Sequence, residues 1–468
     1  MPEWETTAKW MGDLIASIGA APLWAFAIGV ATLIALVLAV VALRKPAFPP
    51  EERQRIADQV TEQVVAGVKE VFNHYRAVPS DERLRRLAAE EGRRENLAQA
   101  VALAREDKHE EAIRHLEACL GPGVGAADRA SIYLLIGNAY LNISQLVQAE
   151  AAYRSSLAAA GGMAEGQDKK QATAAALGNL GLVYADKGEL DKAADYHEQA
   201  LEIAREIGYR LGEAADLGNL GIVYTQKGEL DKAADYHDQA LRIDREIGNR
   251  QGEAIRLGNL GVIYSQKGEF ERAAEHHQEA LKIYRAIGNR LGEASQMGNL
   301  GSVYFKKEEL DKAAEHHQEA LEIHQEIGHR LGEALDLGNL GLVYLNKGEL
   351  NRAAEHHEQA LKIHREIGHR LGEAQNLGNL GLVYQNKGEL DRAAEHHEQA
   401  LKIHREIGHR LGEANQLGNL GLVYRQQGEL DKALKHLQQA LSLFQAIGAP
   451  REIAQMERAI AEVSKVKG

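Results

Sequence analysis

A 40-residue repeat occupies residues 171–449 and constrains the fold more than any other feature of the chain. The sequence LGNLGLVY at 177–184 returns with small changes at 217, 257, 297, 337, 377 and 417. No residue is inserted or lost between these seven copies. Such constant spacing predicts an array of stacked repeats in which each unit meets its neighbour in the same geometry.

Each copy predicts two helices joined by a short turn. In 370–409, two runs of helix-favouring residues are separated by KGEL and closed by Ile407-Gly408. Gly388 and Gly408 stand at predicted helix ends, where glycine readily adopts a positive φ. Ala, Leu, Glu, Lys and Gln dominate the composition and aromatic residues are only 5%, which favours helix. The chain is therefore predicted to be all-α.

The residues that the copies share resemble the tetratricopeptide repeat. At the spacing of that family, the copy at 370–409 carries Leu380, Gly381, Tyr384, Gly388, Ala393 and Ala400. The period of 40 exceeds the family's usual period of roughly 34 residues. In this it resembles the longer repeats of kinesin light chains and of the cortical adaptors that orient mitotic spindles. The resemblance implies a right-handed superhelical α-solenoid with a concave, peptide-binding groove.

Less regular sequence surrounds the seven copies. Two looser copies are predicted at 95–120 and 127–157, and apolar residues on one helical face after Pro450 predict a helix that caps the last repeat. The predicted organisation is an interfacial segment at 1–22, a transmembrane helix at 23–43, a helical linker or stalk at 44–79, degenerate repeat-like helices at 80–160, a flexible loop at 161–170, the repeats at 171–449 and the capping helix at 450–468.

The stretch 23–43 has no charged residue, and a helix of this length spans the roughly 30 Å hydrocarbon core of a bilayer. A cleaved signal peptide is the alternative, but Glu3 and Asp13 stand where such a peptide has basic residues. Arg44 and Lys45 follow the stretch, so the positive-inside bias places the repeats in the cytoplasm. We therefore expect a single-pass membrane protein that contacts the lipid bilayer through 23–43.

An apolar stripe between this stretch and the repeats predicts a helix that must pack against another surface. Its members are Ile56, Val60, Val64, Val68, Val71 and Tyr75. Two arrangements stay open: a self-associating stalk such as a coiled coil, and a helix folded back onto the array. The near-identical copies also make self-assembly into a homo-oligomer the alternative to a scaffold that binds other proteins.

Comparison of the copies with one another indicates where a partner protein binds. Most positions are fixed, whereas three positions of the first helix vary: the two residues before each LGN and the residue after the tyrosine. The resemblance implies that this flank lines the groove, and neutral variation at exposed positions is the alternative. The predicted contacts at variable positions include Arg256, Phe305, Leu345, Gln385 and Arg425.

One polar residue of the predicted groove is the same in every copy. Its side-chain amide can both donate to and accept from a peptide backbone, and hydrogen bonding between neighbouring helices is the structural alternative. This predicted peptide-binding ladder is Asn179, Asn219, Asn259, Asn299, Asn339, Asn379 and Asn419.

Composition and motifs argue against several other functions. The 55 basic and 68 acidic residues give a net charge of −13, which disfavours a nucleic-acid partner. Neither G-x-x-x-x-G-K-[ST] nor H-E-x-x-H occurs, so we expect neither an enzyme nor a cofactor or metal ion. Cys119 is the single cysteine and cannot form an internal disulfide.

The second helices are rich in histidine, with His396, His397, His404 and His409 inside 393–410. His397 and His404 fall on the predicted packing face. They are seven residues apart, about 10 Å along a helix, which is too far to share one metal ion. We therefore interpret them as packing groups, and a response to protonation near the usual pKa of about 6.5 stays open.

Overall fold

The computed structural model describes residues 57, 58, 60–62, 64–66, 77–106 and 108–467, and its regular secondary structure there is helical throughout. None of the described helices is both long and apolar enough to cross a bilayer, and the predicted span at 23–43 lies outside the described residues. The helices are α1 Asp81–Ala89, α2 Glu91–Arg105, α3 His109–Ala118, α4 Ala126–Asn142, α5 Leu146–Gly161, α6 Gln167–Asp186, α7 Leu190–Glu206, α8 Arg210–Gln226, α9 Leu230–Glu246, α10 Arg250–Gln266, α11 Phe270–Ala286, α12 Arg290–Lys306, α13 Leu310–Glu326, α14 Arg330–Asn346, α15 Leu350–Glu366, α16 Arg370–Asn386, α17 Leu390–Glu406, α18 Arg410–Gln426, α19 Leu430–Ile447 and α20 Pro450–Lys467.

Consecutive helices pair into hairpins, and the all-α prediction is confirmed for the described residues. Gly388 and Gly408 have φ of 77° and 69°, as predicted for helix ends. At the first of these turns, the Glu389 N–H donates to the Tyr384 carbonyl at 2.9 Å. This bond satisfies one of the carbonyls that the end of α16 leaves open, and the same turn recurs along the array.

The chain divides into two compact units, 1–249 and 250–468. Within the second unit, alanines such as Ala353 and Ala360 are fully buried where helices approach closely, and Leu340 and Leu380 fill the space between them. The fixed positions of the repeat are therefore mostly core positions. The handedness of a superhelix stays a prediction.

Part of the apolar stripe belongs to the core of the first unit. Val60 and Val64 are buried in one cluster with Leu84, Leu87 and Leu97. Of the two arrangements left open by the sequence, this packing favours a helix folded onto the array.

The two ends of the repeat region are also helical. Helix α6 begins at Gln167, inside the segment predicted to be a loop at 161–170, so the link after α5 is shorter than predicted. At the other end, α20 buries Met456, Ala459 and Val463, and Met456 lies against Gly418 of α18. Helix α20 thus covers the end of the last hairpin.

Candidate functional site

A buried ring lies against the second glycine of the LGNLG motif in most hairpins. A Cβ added to Gly341 or Gly381 would lie 2.6 Å from the imidazole of His357 or His397. Only glycine permits such a close approach of the two helices, which explains why the motif does not vary there. The members of this buried histidine column are His197, His237, His277, His317, His357 and His397, and Leu437 takes the place in the last copy.

The residue immediately before each LGN is buried. Five of these residues lie against a histidine of the column: Asp216, Gln296, Asp336, Asn376 and Gln416. The Nδ1 atoms of His357 and His397 lie 3.0 and 2.8 Å from side-chain oxygens of Asn376 and Gln416, respectively, in the next hairpin. Arg256, predicted to contact a partner, occupies the corresponding position and is only 8% exposed. The structure therefore places this variable position in a packing layer. Sequence variation among the copies does not distinguish a residue that contacts a buried imidazole from a residue that lines a groove.

Burial controls the protonation of three members of the histidine column, His277, His357 and His397. Desolvation lowers the pKa of His277, His357 and His397 to about 4, because the charged imidazolium loses its hydration in the core. Hydrogen bonds that the imidazoles donate to the side-chain oxygens of Gln296, Asn376 and Gln416 oppose this shift only in part. These imidazoles are therefore neutral near pH 7, and they serve as packing groups.

The other predicted positions are more accessible. The side chains of Phe305, Leu345, Gln385 and Arg425, which follow the repeat tyrosines, are half-buried. Arg425 forms an ion pair of 2.6 Å with Glu462 of α20, so it already has a partner within the chain. The second residue before each LGN is exposed in most copies, and Leu335, which occupies this position, is 48% exposed.

The repeat asparagines mark one face of the first helices. Residues four before and three after each asparagine share its side of the helix. We call these three positions the asparagine face of each unit. Apart from the asparagines, its members are uncharged: Leu134, Leu141, Ala175, Leu182, Ala215 and Ile222 in the first unit, and Ile255, Val262, Ser295, Ser302, Leu335, Leu342, Gln375, Leu382, Asn415 and Leu422 in the second.

In the first unit this face holds a segment of the chain itself. The backbone N–H of Ala77 donates to Asn179 Oδ1 at 2.9 Å, and Asn179 Nδ2 donates to the Ala77 carbonyl at 3.1 Å. Asn138, the matching residue of the looser copy before it, donates from Nδ2 to the same carbonyl at 3.2 Å. Two repeat asparagines thus bind both backbone polar groups of one residue outside the helices.

A hydrogen-bond network orients these two amides. Asn138 Oδ1 accepts from Tyr153 Oη at 2.7 Å and from Asn179 Nδ2 at 2.9 Å. Asn138, Asn179 and Tyr153 are at most 1% exposed, so the two amides and the tyrosine hydroxyl cannot turn to water. Because Oδ1 of Asn138 is engaged, its Nδ2 faces Ala77, which is the donor that a peptide carbonyl requires.

The residues after Ala77 lie along the same face. Val78 and Pro79 line a cavity of about 60 Å³ together with Leu134 and Ala175. Leu134 and Ala175 are the residues four before Asn138 and Asn179. The position two before LGN, predicted from its variability to line a groove, therefore does so where a segment is bound.

The remaining asparagines of the ladder have no such ligand. They are half-buried, and no hydrogen bond joins their side chains to any residue that the structure describes. Bonding between neighbouring helices, the alternative considered from the sequence, is seen for Asn179 alone. The asparagines left open are Asn219 in the first unit and Asn259, Asn299, Asn339, Asn379 and Asn419 in the second.

Two buried histidines, His364 and His404, each pair with a half-buried histidine instead of joining a larger cluster. Nδ1 of His369 lies 3.1 Å from Nδ1 of His364, and it also accepts from the Gly372 N–H at 3.2 Å. His404 and His409 repeat this arrangement. Within the described residues, no three His, Cys, Asp or Glu side chains come together in a group that could hold a metal ion.

Fold and site together define a helical-repeat protein with an amide-bearing face on its first helices. A family model for the tetratricopeptide repeat matches residues 128–206, 172–246, 213–286, 293–366 and 372–446. These matches cover more than half of the chain, which therefore belongs to the tetratricopeptide repeat family. It is a protein-interaction scaffold of the type that this family provides. The narrower resemblance to kinesin light chains and spindle adaptors stays a prediction.

Several solved structures share this fold. A STAND protein (signal transduction ATPase with numerous domains) with a tetratricopeptide repeat sensor, from Pyrococcus horikoshii, matches at 15% identity with a TM-score of 0.55, over 93% of this chain and 65% of that chain. The apo form of the quorum sensor NprR from B. thuringiensis matches at 17% identity with a TM-score of 0.54, over 75% of this chain and 97% of that one. Aspartyl phosphate phosphatase F from Bacillus subtilis matches at 11% identity with a TM-score of 0.52, over 82% and 95%.

At these identities the likeness concerns the fold alone. No curated protein matches the chain in sequence.

Proposed function

We propose that the protein binds extended, uncharged polypeptide segments of partner proteins on its asparagine face. The observation that carries the proposal is the capture of Ala77 by Asn138 and Asn179. Because the same asparagine recurs with an unused amide in the later copies, a partner backbone finds the same donor and acceptor there. The proposed role is binding without a chemical reaction.

The chemistry of the face selects the class of segment. The positions four before and three after the asparagines are uncharged in all copies, and Leu335, Ile222 and Val262 expose apolar side chains there. A segment with apolar side chains would bury them against these residues, whereas a strongly charged segment would lose hydration without gaining an ion pair. The bound Ala77-Val78-Pro79 is a segment of the favoured kind.

Peptide selection on the full-length chain in mild detergent tests this proposal. Displayed random peptides are selected on the wild-type protein and their affinities measured by fluorescence anisotropy. In a variant with Asn339→Ala, Asn379→Ala and Asn419→Ala, we expect affinity to fall about tenfold or more, since each lost hydrogen bond is worth on the order of 1 kcal/mol.

The matched control removes three amides from the second helices of the same hairpins, through Gln359→Ala, Gln399→Ala and Gln439→Ala. These residues lie off the asparagine face, so peptide affinity should not change. Equal loss in both variants, or no loss in the asparagine variant, would contradict peptide binding at this face.

Attachment to a membrane is a separate part of the proposal and is supported by the uncharged stretch 23–43. If this stretch spans the bilayer with the repeats in the cytoplasm, the full-length chain should stay in the membrane pellet after alkaline carbonate extraction. Ile34→Arg with Leu36→Arg should release it, because each central arginine disfavours insertion by about 3 kcal/mol. Ala47→Arg, outside the stretch, is the control, and release of the wild-type chain would refute the anchor.

A further inference from the structure

The geometry points to a built-in ligand. Residues 77–80, here called the cis segment, occupy Asn138 and Asn179, and a partner segment that binds at these two asparagines has to displace it. This inference rests on the proposed function, because it assigns partner and cis segment to the same kind of site. It adds that the cis segment occupies the N-terminal end of the asparagine face, whereas the side chain of Asn219 binds no described residue.

The contacts of the cis segment can be replaced one for one. Ala77 uses only its backbone N–H and carbonyl to bind Asn138 and Asn179, and every peptide residue except proline offers the same two groups. An exchange therefore conserves the number of hydrogen bonds that Asn138 and Asn179 form. If the cis segment departed without a replacement, their buried amide groups would lose these partners. Exchange by an incoming backbone is favoured over simple opening.

Tethering decides which segment prevails. The cis segment continues directly into α1, which begins at Asp81, so it stays close to Asn138 and Asn179 even when it is displaced. Tethered ligands typically act at an effective concentration in the millimolar range. A free peptide of equal intrinsic affinity then binds the wild-type protein weakly, and it binds well only when the cis segment is disabled.

The packing around the cis segment supports a specific fit. Pro79 is buried, and Ser80 accepts a hydrogen bond from the Arg83 N–H at 3.3 Å as the N-cap of α1. Arg83 in turn pairs with Asp168 of α6 at 2.7 Å. The cis segment is thereby aligned along the asparagine face at both of its ends, as a bound ligand is.

The experiment uses the full-length chain in detergent and a fluorescent peptide with the sequence of residues 72–84, FNHYRAVPSDERL. In Ala77→Pro, the cis segment cannot donate to Asn179, so the peptide should bind about tenfold tighter than to wild type, because its tethered competitor is weakened. Ala77→Ser keeps both backbone groups and should behave as wild type. Adding Asn179→Ala to Ala77→Pro should abolish the gain.

Hydrogen exchange on the wild-type protein provides a second measurement that does not depend on a variant folding. A saturating amount of the peptide should accelerate exchange of the Ala77 amide, because the peptide takes its place on Asn179. Equal affinity for wild type and Ala77→Pro, or no acceleration at saturation, would overturn the built-in ligand. Loss of library peptides in the Asn339, Asn379 and Asn419 variant would still stand, so the two proposals fail separately.

Discussion

At the residue scale, the copies can be compared with one another, because one copy has a different residue at a turn position where the other copies have glycine. Glu308 has φ of 61° where the other copies have glycine, and Gly348 in the next copy has φ of 76°. The turn is otherwise the same, since Glu309 and Glu349 each donate to the repeat tyrosine carbonyl at 2.9 Å. The left-handed backbone of Glu308 is therefore sterically strained, whereas glycine adopts the same conformation without strain.

Glu308→Gly should raise the free energy of unfolding by about 1 kcal/mol, because a left-handed non-glycine residue is strained by roughly that amount. The measurement is the midpoint of urea unfolding followed by circular dichroism. Glu308→Gln removes the charge but keeps the strain, so it should leave the midpoint unchanged. A gain of the same size in Glu308→Gln would attribute the effect to charge instead of backbone strain.

Individual side chains also show where sequence reasoning reached its limit. Gly388 and Gly408 could be assigned to helix ends because only glycine commonly takes their conformation. Arg256 could not be placed, since a position facing a neighbouring hairpin and one facing a groove can vary to the same extent. The capture of Ala77 was not foreseeable, because its partner Asn179 lies 102 residues further along the chain.

At the scale of helices, three histidines of the column make the stability of the packed array depend on pH. His277, His357 and His397 have a pKa of about 4 in the folded protein because they are buried, against about 6.5 when exposed. Between these values the unfolded chain binds more protons than the folded one, so the free energy of unfolding falls as the pH falls. Each histidine contributes up to about 1.4 kcal/mol per pH unit.

We therefore expect urea midpoints of the wild type to decrease from pH 6.5 towards pH 4 more steeply than those of a variant with His277→Leu, His357→Leu and His397→Leu. Leucine is the residue that the last copy carries at this place, Leu437, where it is fully buried. His436→Leu, outside the column, is the control for the loss of a histidine. Parallel pH profiles for the wild type and the triple variant would rule out His277, His357 and His397 as the source.

At the scale of the whole molecule, the sequence predicts the all-α hairpin array because its 40-residue period leaves little choice of architecture. The pairing of Val60 and Val64 with Leu84 was only one of two arrangements compatible with an apolar stripe, since hydrophobic periodicity identifies a buried face without naming what covers it. The division into two compact units at 249 and 250 falls inside the regular repeats, where no change in the sequence pattern marks it.

An array of this type has ends that need covering, because each hairpin packs only against its neighbours. In the second unit, α20 covers the last hairpin, and Val463 of this helix is 0% exposed whereas Val466 is 74% exposed. Val463→Asp should destabilise the protein by about 3 kcal/mol, because it buries a carboxylate without a partner. Val466→Asp, one turn further along the same helix, should have little effect.

The loss caused by Val463→Asp should also be local. Because stability in a repeat array is transmitted between neighbours, hydrogen exchange should accelerate most in α18, α19 and α20 and least in α10 and α11 of the same unit. Uniform acceleration across the second unit would show that this unit unfolds as one cooperative body, in which case the stability of its asparagine face would depend on α20 as a whole.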